Sequence, residues 1–361
     1  MVELSSFVSV LQWIGYILIA LLCLMFMIVV HEFGHYITGK IFKFNIVEFS
    51  IGFGPKIFSK KNKKTNEVFS IRCLPLGGFC QFQGEDEEGL KEGDFNSKPC
   101  WQRILVLFNG AFLNLVSSMI IAMIFFMAVG DLVPVISNTT DYIDSAYTQQ
   151  LKVGDEIRYI NGVRTYGILD VSLLPLDLIK DNEENTFVIY RDGEEMTLVL
   201  QKHDFETIDL NGNPTGETSH GYGINMTFYQ KQNFGNAFIK GIKFPFKVAY
   251  ITFKTIGQIF TGQLKVKDTM GGTITAVSTI AQGVSYGFNS VLYVVCVLSA
   301  SIGIMNLLPI PALDGSRIVF CIVEWIRKKP LDRKVEGIIH AVGLICLFGF
   351  AIILDLLHFI K

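Results

Sequence analysis

Read for hydrophobic and polar positions alone, the chain alternates between long apolar runs and short patterned ones. Residues 14–30 (IGYILIALLCLMFMIVV) contain no charge and predict a first span over about 11–37. Runs of the same kind predict spans over about 104–129, 291–308 and 338–358. Between the first two, the pattern shortens to strand length over 45–51 and 68–73, with Gly52, Gly54, Pro55, Gly77 and Gly78 as breaks. Lys60, Lys61, Lys63 and Lys64 lie between the two runs, so the expectation is a hairpin with a solvated turn. Its apolar, glycine-rich flanks would dip toward the membrane.

Past Gly130 the apolar runs contract again, to 156–160, 186–191 and 196–200, with turn pairs at Asn161-Gly162 and Asp192-Gly193. That is the pattern of a mainly β domain in water. Over 234–262 the lysines Lys240, Lys243, Lys247 and Lys254 fall on one arc of a helix. Ile239, Ile242, Phe246, Phe253, Ile256 and Phe260 lie roughly opposite. This predicts a helix lying in the membrane interface, with Pro245 kinking it or marking its start.

Composition agrees with this mixture. Half of the 361 residues are hydrophobic, and the mean hydropathy of +0.41 is too high for an ordinary soluble protein and low for a bare bundle of spans. The expected architecture is a multi-span α-helical membrane protein with an inserted extracytoplasmic β domain and a membrane-associated β-hairpin. Its parts are an N-terminal membrane region (1–129, hairpin 45–82), the β domain (130–229) and a C-terminal membrane region (230–361, interfacial helix 234–262). The beginning lacks a basic n-region and a small-x-small cleavage site, so it does not read as a cleavable signal peptide.

Charge sets the orientation. No Lys or Arg precedes Lys40, whereas 41–103 is rich in both, and Arg317, Arg327, Lys328, Lys329, Arg333 and Lys334 cluster later. By the positive-inside rule these segments are cytoplasmic, and the N-terminus and the β domain lie outside a cytoplasmic (inner) membrane. A net charge of −2 gives no argument for nucleic acid. The seven cysteines form no CxxC pair and read as small hydrophobes. The acidic stretch 85–92 reads as a solvated loop, and the glycines at 271–272 do not make a phosphate-cradling loop.

Candidate chemistry sits at the end of the first span. His31-Glu32-Phe33-Gly34-His35 is HExxH: histidines four apart share a helix face and suit two ligands of one Zn²⁺, with Glu32 placed to take a proton from the attacking water. Imidazoles and a carboxylate at membrane depth are expensive without a partner or a task. A second carboxylate, Asp314, follows Pro309 and Pro311, which must break the third span. It lands on the same membrane face as the histidines, which makes it the preferred third ligand over a plain cap of the following helix. Asn109 and Asn114 on the second span read first as interhelical hydrogen-bonding groups. His203, His220, His340 and His358 lie outside any ligand pattern.

HExxH on the first span and a Leu313-Asp314-Gly315 motif on a later one resemble the site-2 protease family of intramembrane zinc metalloproteases. Leu151-Lys152-Val153-Gly154-Asp155-Glu156-Ile157, followed by Ile160-Asn161-Gly162, resembles a PDZ domain, so the layout is similar to that of bacterial members with a single PDZ domain. The resemblance implies His31, His35 and Asp314 as metal ligands and Glu32 as the catalytic glutamate. Gly110 to Asn114 resembles the family's GPxxN, with Ala111 where proline is usual, which implies Asn114 as a neighbour of the active site. It further implies cleavage of transmembrane segments of membrane proteins in regulated intramembrane proteolysis, such as anti-sigma factors or signal-peptide remnants. The hairpin would pair with substrate, and the PDZ domain would take a peptide ligand. The rival readings are a non-catalytic PDZ-bearing membrane scaffold and an ion transporter.

Overall fold

The computed structural model describes residues 2–85, 91–130, 134–139, 151–165, 183–208, 214–227, 233–262, 264, 266 and 271–359. Residues 86–90 of the acidic stretch, and Met270 before the two glycines, lie outside these. Among the described residues four helices are long and apolar enough to cross a bilayer, Ser9–Ile41, Cys100–Ala128, Phe288–Asn306 and Arg333–Leu357. The chain is thus a multi-span membrane protein carrying a β domain. It divides into two compact units, residues 1–123 with 241–361, and residues 124–240.

In the first unit, α1 (Val2–Ile41) ends where Lys43 turns to a positive φ of 56°. Two strands follow, β1 (Ile46–Lys61) and β2 (Val68–Phe82), both longer than the pattern predicts. Each bends back on itself, so that 46–51 pairs with 78–82 on one side and with 68–71 on the other. Residues 56–61 close the far edge against 68–72. The expected hairpin is therefore a sheet of four short runs. The glycines that read as strand ends are bends within strands: Gly52 and Gly54 have φ of 85° and 84°, and Gly77 has 151°. Both bends lie at one end of the sheet, beside exposed Phe53 and Leu74, while the lysine turn lies at the other.

Inside this sheet Glu48 is buried and holds a polar cluster together. It accepts from Ser70 Oγ at 2.6 Å, Arg72 at 2.7 Å and Lys56 at 3.0 Å. Burial alone would raise its carboxyl, but these three donors bring it down to about 2.

Helix α2 (Cys100–Ala128) crosses α1, and α3 (Phe234–Phe260) carries Pro245 within it. On α3, Gly241 lets the helix press on α2, since a Cβ there would sit 2.9 Å from that of Met123. Helix α4 (Thr273–Ser285), which the sequence pattern did not predict, starts at the two glycines. Its first amides are taken by a residue far along the chain: Asp355 accepts from Gly272 N, Ile274 N and Thr275 N at 3.0–3.1 Å and from Thr275 Oγ1 at 2.7 Å. The helix packs Ile280 and Ala281 on Ala20, Leu24 and Met27 of α1.

Then follow α5 (Phe288–Asn306), a break over 307–313, α6 (Asp314–Arg327) and α7 (Arg333–Phe359). Buried Glu324 of α6 ties three helices together. Arg103 of α2 reaches it at 2.5 Å, Arg333 of α7 at 2.6 Å, and Leu331 N–H at 2.9 Å.

The second unit holds β3 (Val135–Thr139), β4 (Glu156–Ile160), β5 (Val163–Arg164), β6 (Asn185–Arg191), β7 (Glu194–Leu200) and β10 (Ile224–Thr227). They form an antiparallel sheet in the order β10-β3-β4-β6-β7, with β5 on β4, while β8 (His203–Ile208) and β9 (Pro214–Gly221) pair separately. Alternate residues Phe187 and Ile189 point into a core with Ile136, Ile157, Ile160 and Leu200. The β6–β7 turn has positive φ at both Asp192 (50°) and Gly193 (94°), as a two-residue hairpin requires. Arg191 grips buried Asp155 with two bonds of 2.6 Å, which anchors the Gly154-Asp155 turn. His203 and His220 lie on β8 and β9, where His220 meets Asp204 at 2.7 Å.

Candidate metal centre

The centre is assembled where α1, α2 and the break before α6 meet. Gly34 and Gly110 make the helix crossing close. A Cβ on Gly34 would lie 2.7 Å from the Asn109 carbonyl carbon and 2.8 Å from Gly110 Cα. Asn109 then bonds across the crossing, to Gly34 O at 3.0 Å and Thr38 Oγ1 at 2.6 Å, which is the interhelical use expected of an amide on a span. Gly110 leaves the room that the His35 ring fills.

His31 and His35 are both 7% exposed. His35 donates its Nδ1–H to Val106 O at 2.9 Å, and this leaves Nε2 as a lone-pair donor. That atom faces His31 Nε2 at 3.1 Å. Asp314 Oδ2 completes a triangle, 3.0 Å from His31 Nε2 and 3.2 Å from His35 Nε2. Asp314 is the first residue of α6, yet its carboxylate turns to the histidines rather than capping the helix. Gly315 is required behind it, because a side chain there would run into the Leu307 and Leu308 carbonyls.

The donor set suits a zinc ion. Bonds of 2.0–2.1 Å in a tetrahedron put ligand atoms about 3.3 Å apart, close to the three distances found. Two imidazole nitrogens and a carboxylate oxygen gathered this closely in a buried site suit a cation between them. Among the described residues, these three form the one group of His, Cys, Asp or Glu side chains placed to hold a metal, with ligand atoms within 4.8 Å of one another.

Glu32 lies beside the triangle, and its Oε2 accepts the Cys80 N–H at 2.9 Å. Cys80 belongs to the 78–82 run at the edge of the four-run sheet, so that edge borders the site. Burial, then the nearby Glu32 charge, pushes the Cys80 thiol well above its ordinary range, which suits it to structure and not to nucleophilic chemistry. A cavity of about 450 Å³ joins His31, Glu32 and Asp314 to this edge. It is also lined by Asn306, Ala312 and Arg317, which the sequence reading did not single out. Arg317 meets Glu85 at 3.3 Å at the end of the edge run. Asn114 is fully buried one turn beyond Gly110, and its backbone carbonyl accepts from Ser117 and Ser299. It is not among the described residues that line the cavity.

A membrane protein whose first span carries HExxH beside a distant carboxylate has the layout of a metallopeptidase. The chain belongs to peptidase family M50, the site-2 protease family, whose model matches residues 19–350. It is 32% identical to a protein named as a zinc metalloprotease in Fusobacterium nucleatum, over 94% of this chain and 96% of the relative. Similarly named proteins of Clostridium perfringens and Agrobacterium fabrum are 30% and 27% identical, each over 94% of this chain and over 97% and 94% of their own length. The protein is a zinc metalloprotease, and proteolysis within the membrane is general for its family.

Proposed function

We propose that His31, His35 and Asp314 hold the zinc and that Glu32 is the general base and acid of peptide hydrolysis. The observation that carries this reading is the convergence of three lone-pair atoms, from residues 283 positions apart in the chain, to within 3.0–3.2 Å of one another. When bound, zinc supplies Lewis-acid polarisation of the scissile carbonyl and makes a water acidic enough to ionise near neutral pH. Glu32 takes that water's proton and returns it to the leaving amine, so the peptide bond breaks as an acid and an amine form. The Cys80 N–H holds the Glu32 carboxylate in place for this.

The substrate is a transmembrane segment of another membrane protein, of the kind found in anti-sigma factors or signal-peptide remnants. A helical segment hides its carbonyls in its own hydrogen bonds and must become extended before attack. The edge run 78–82 is suited to receive it as an added strand, since it borders both Glu32 and the cavity. Residues 130–229 act outside the membrane as a PDZ-like domain that screens substrates by binding extended peptide ends. The distribution of positive charge supports an N-terminus outside and a centre near the cytoplasmic face of the inner membrane.

Glu32→Gln tests the assignment. Purified variant protein is expected to hold zinc at wild-type stoichiometry while cleavage of a reconstituted transmembrane substrate falls by at least about 10²-fold. Undiminished cleavage would remove Glu32 from the reaction.

A further inference from the structure

Asp314 is delivered by a turn that its own sequence disfavours. In Ile310-Pro311-Ala312-Leu313, Leu313 N–H donates to Ile310 O at 3.1 Å, and Ala312 has a φ of +78°. Proline second and a φ near +80° third define a type II turn, whose third place ordinarily takes glycine. An L side chain is strained there, and such backbone persists only where its surroundings hold it.

Helix α7 does the holding, at two residues one turn apart. His340 Nδ1 accepts the Ala312 N–H at 3.2 Å. Gly343 presents bare backbone to the other end of the same peptide, for a Cβ there would lie 2.8 Å from Pro311 C and 2.9 Å from Pro311 O. The peptide plane between Pro311 and Ala312 thus lies along α7, its N–H end at His340 and its carbonyl end at Gly343. Flipping that plane is what separates a type II turn from a type I turn, so the bond to His340 selects the observed form. The imidazole is itself fixed. The Phe320 ring of α6 meets it edge-on with centroids 5.5 Å apart, the Ala312 N–H can only donate and so requires Nδ1 as acceptor, and the Glu336 carboxylate stands 3.9 Å from Nε2.

We propose that His340 is a positioning residue of the metal centre: by accepting the Ala312 N–H it fixes the turn that aims the Asp314 carboxylate at His31 and His35. The proposal rests on the reading of Asp314 as a zinc ligand. It also gives the last span a task in a site to which it contributes no ligand.

The test measures zinc affinity of the full-length protein in detergent by chelator competition, together with the visible spectrum of the Co²⁺-substituted protein. Asp314→Ala, His340→Ala, His340→Asn and the double variant His340→Ala/Ala312→Gly are compared with wild type. His340→Ala is expected to bind zinc about 10–100-fold more weakly, the usual cost of losing a group that orients a ligand, with an altered Co²⁺ spectrum. His340→Asn, whose side-chain oxygen replaces Nδ1 as acceptor, should return affinity and spectrum close to wild type. The double variant should recover part of the loss, because glycine adopts the turn without help. Wild-type affinity and spectrum in His340→Ala would overturn the proposal, as would a His340→Asn protein as weak as His340→Ala. Full zinc stoichiometry in Asp314→Ala would instead sink the ligand reading, whatever His340 does.

Discussion

At Gly110 the absence of a side chain is what lets two imidazoles meet. A Cβ there would lie 3.0 Å from His31 Nε2 and would collide with the His35 ring. Because His35 is also tied to Val106 O on the same helix as Gly110, its ring has little freedom to retreat. Gly110→Ala is therefore expected to cost about 1–3 kcal/mol of stability as overpacking, and to lower zinc content more than it lowers the melting temperature. Metal analysis and thermal unfolding of the purified variant check both; a variant with full zinc occupancy would show that the ring adapts. HExxH was readable because a spacing of four puts both rings on one helix face whatever the rest of the chain does. The glycine that makes room for them has no such spacing behind it, and it stood out only through the resemblance of Gly110 to Asn114 to the family's GPxxN.

Elements differ in how much of themselves they declare. The apolar spans were legible from composition, and the turns at Asn161-Gly162 and Asp192-Gly193 from their chemistry. The four-run sheet was not, because Gly52, Gly54 and Gly77 read as punctuation when they are bends inside continuing strands. Helix α4 stayed hidden for a different reason: its amino-terminal amides are satisfied by Asp355, which lies 80 residues or more along the chain. Two expectations belong at this scale. Glu48 sits below its ordinary carboxyl range, so its contribution to the sheet is fully present above the unfolded value near 4.5 and is lost as pH falls toward about 2. The stability gap between wild type and Glu48→Gln should thus be widest at about pH 6 and narrow steadily below about pH 4; melting temperatures across that range with an unchanged gap would contradict it. Glu324 is the second case. Its removal leaves the buried Arg103 guanidinium without its carboxylate and takes from the partly buried Arg333 one of its two. Glu324→Ala should cost about 3–5 kcal/mol, read as a large drop in melting temperature in detergent.

For the whole molecule, the apposition of His31 and Asp314 constrains how the chain threads the membrane. His31 lies toward the end of α1, and Asp314 comes just after the end of α5. Their contact at 3.0 Å brings the later part of α1 and the end of α5 together, as expected of two spans that run in the same direction. Two parallel spans have an odd number of crossings between them, and among the described residues α2 supplies that one. On the proposed orientation, the lysine turn after β1 and the basic segment after α6 are expected on the face of the metal centre, and the Asp192-Gly193 turn on the opposite one. The support for this orientation is the asymmetry of Lys and Arg along the sequence. Alkaline phosphatase, active only outside the cytoplasm, reports the difference when inserted at one turn or the other. High activity is expected from an insertion at Asp192-Gly193 and background activity from one at Lys63. Equal activity at both, or the reverse order, would mean that charge and contact had been combined in the wrong orientation, and the centre would then face the other side of the membrane.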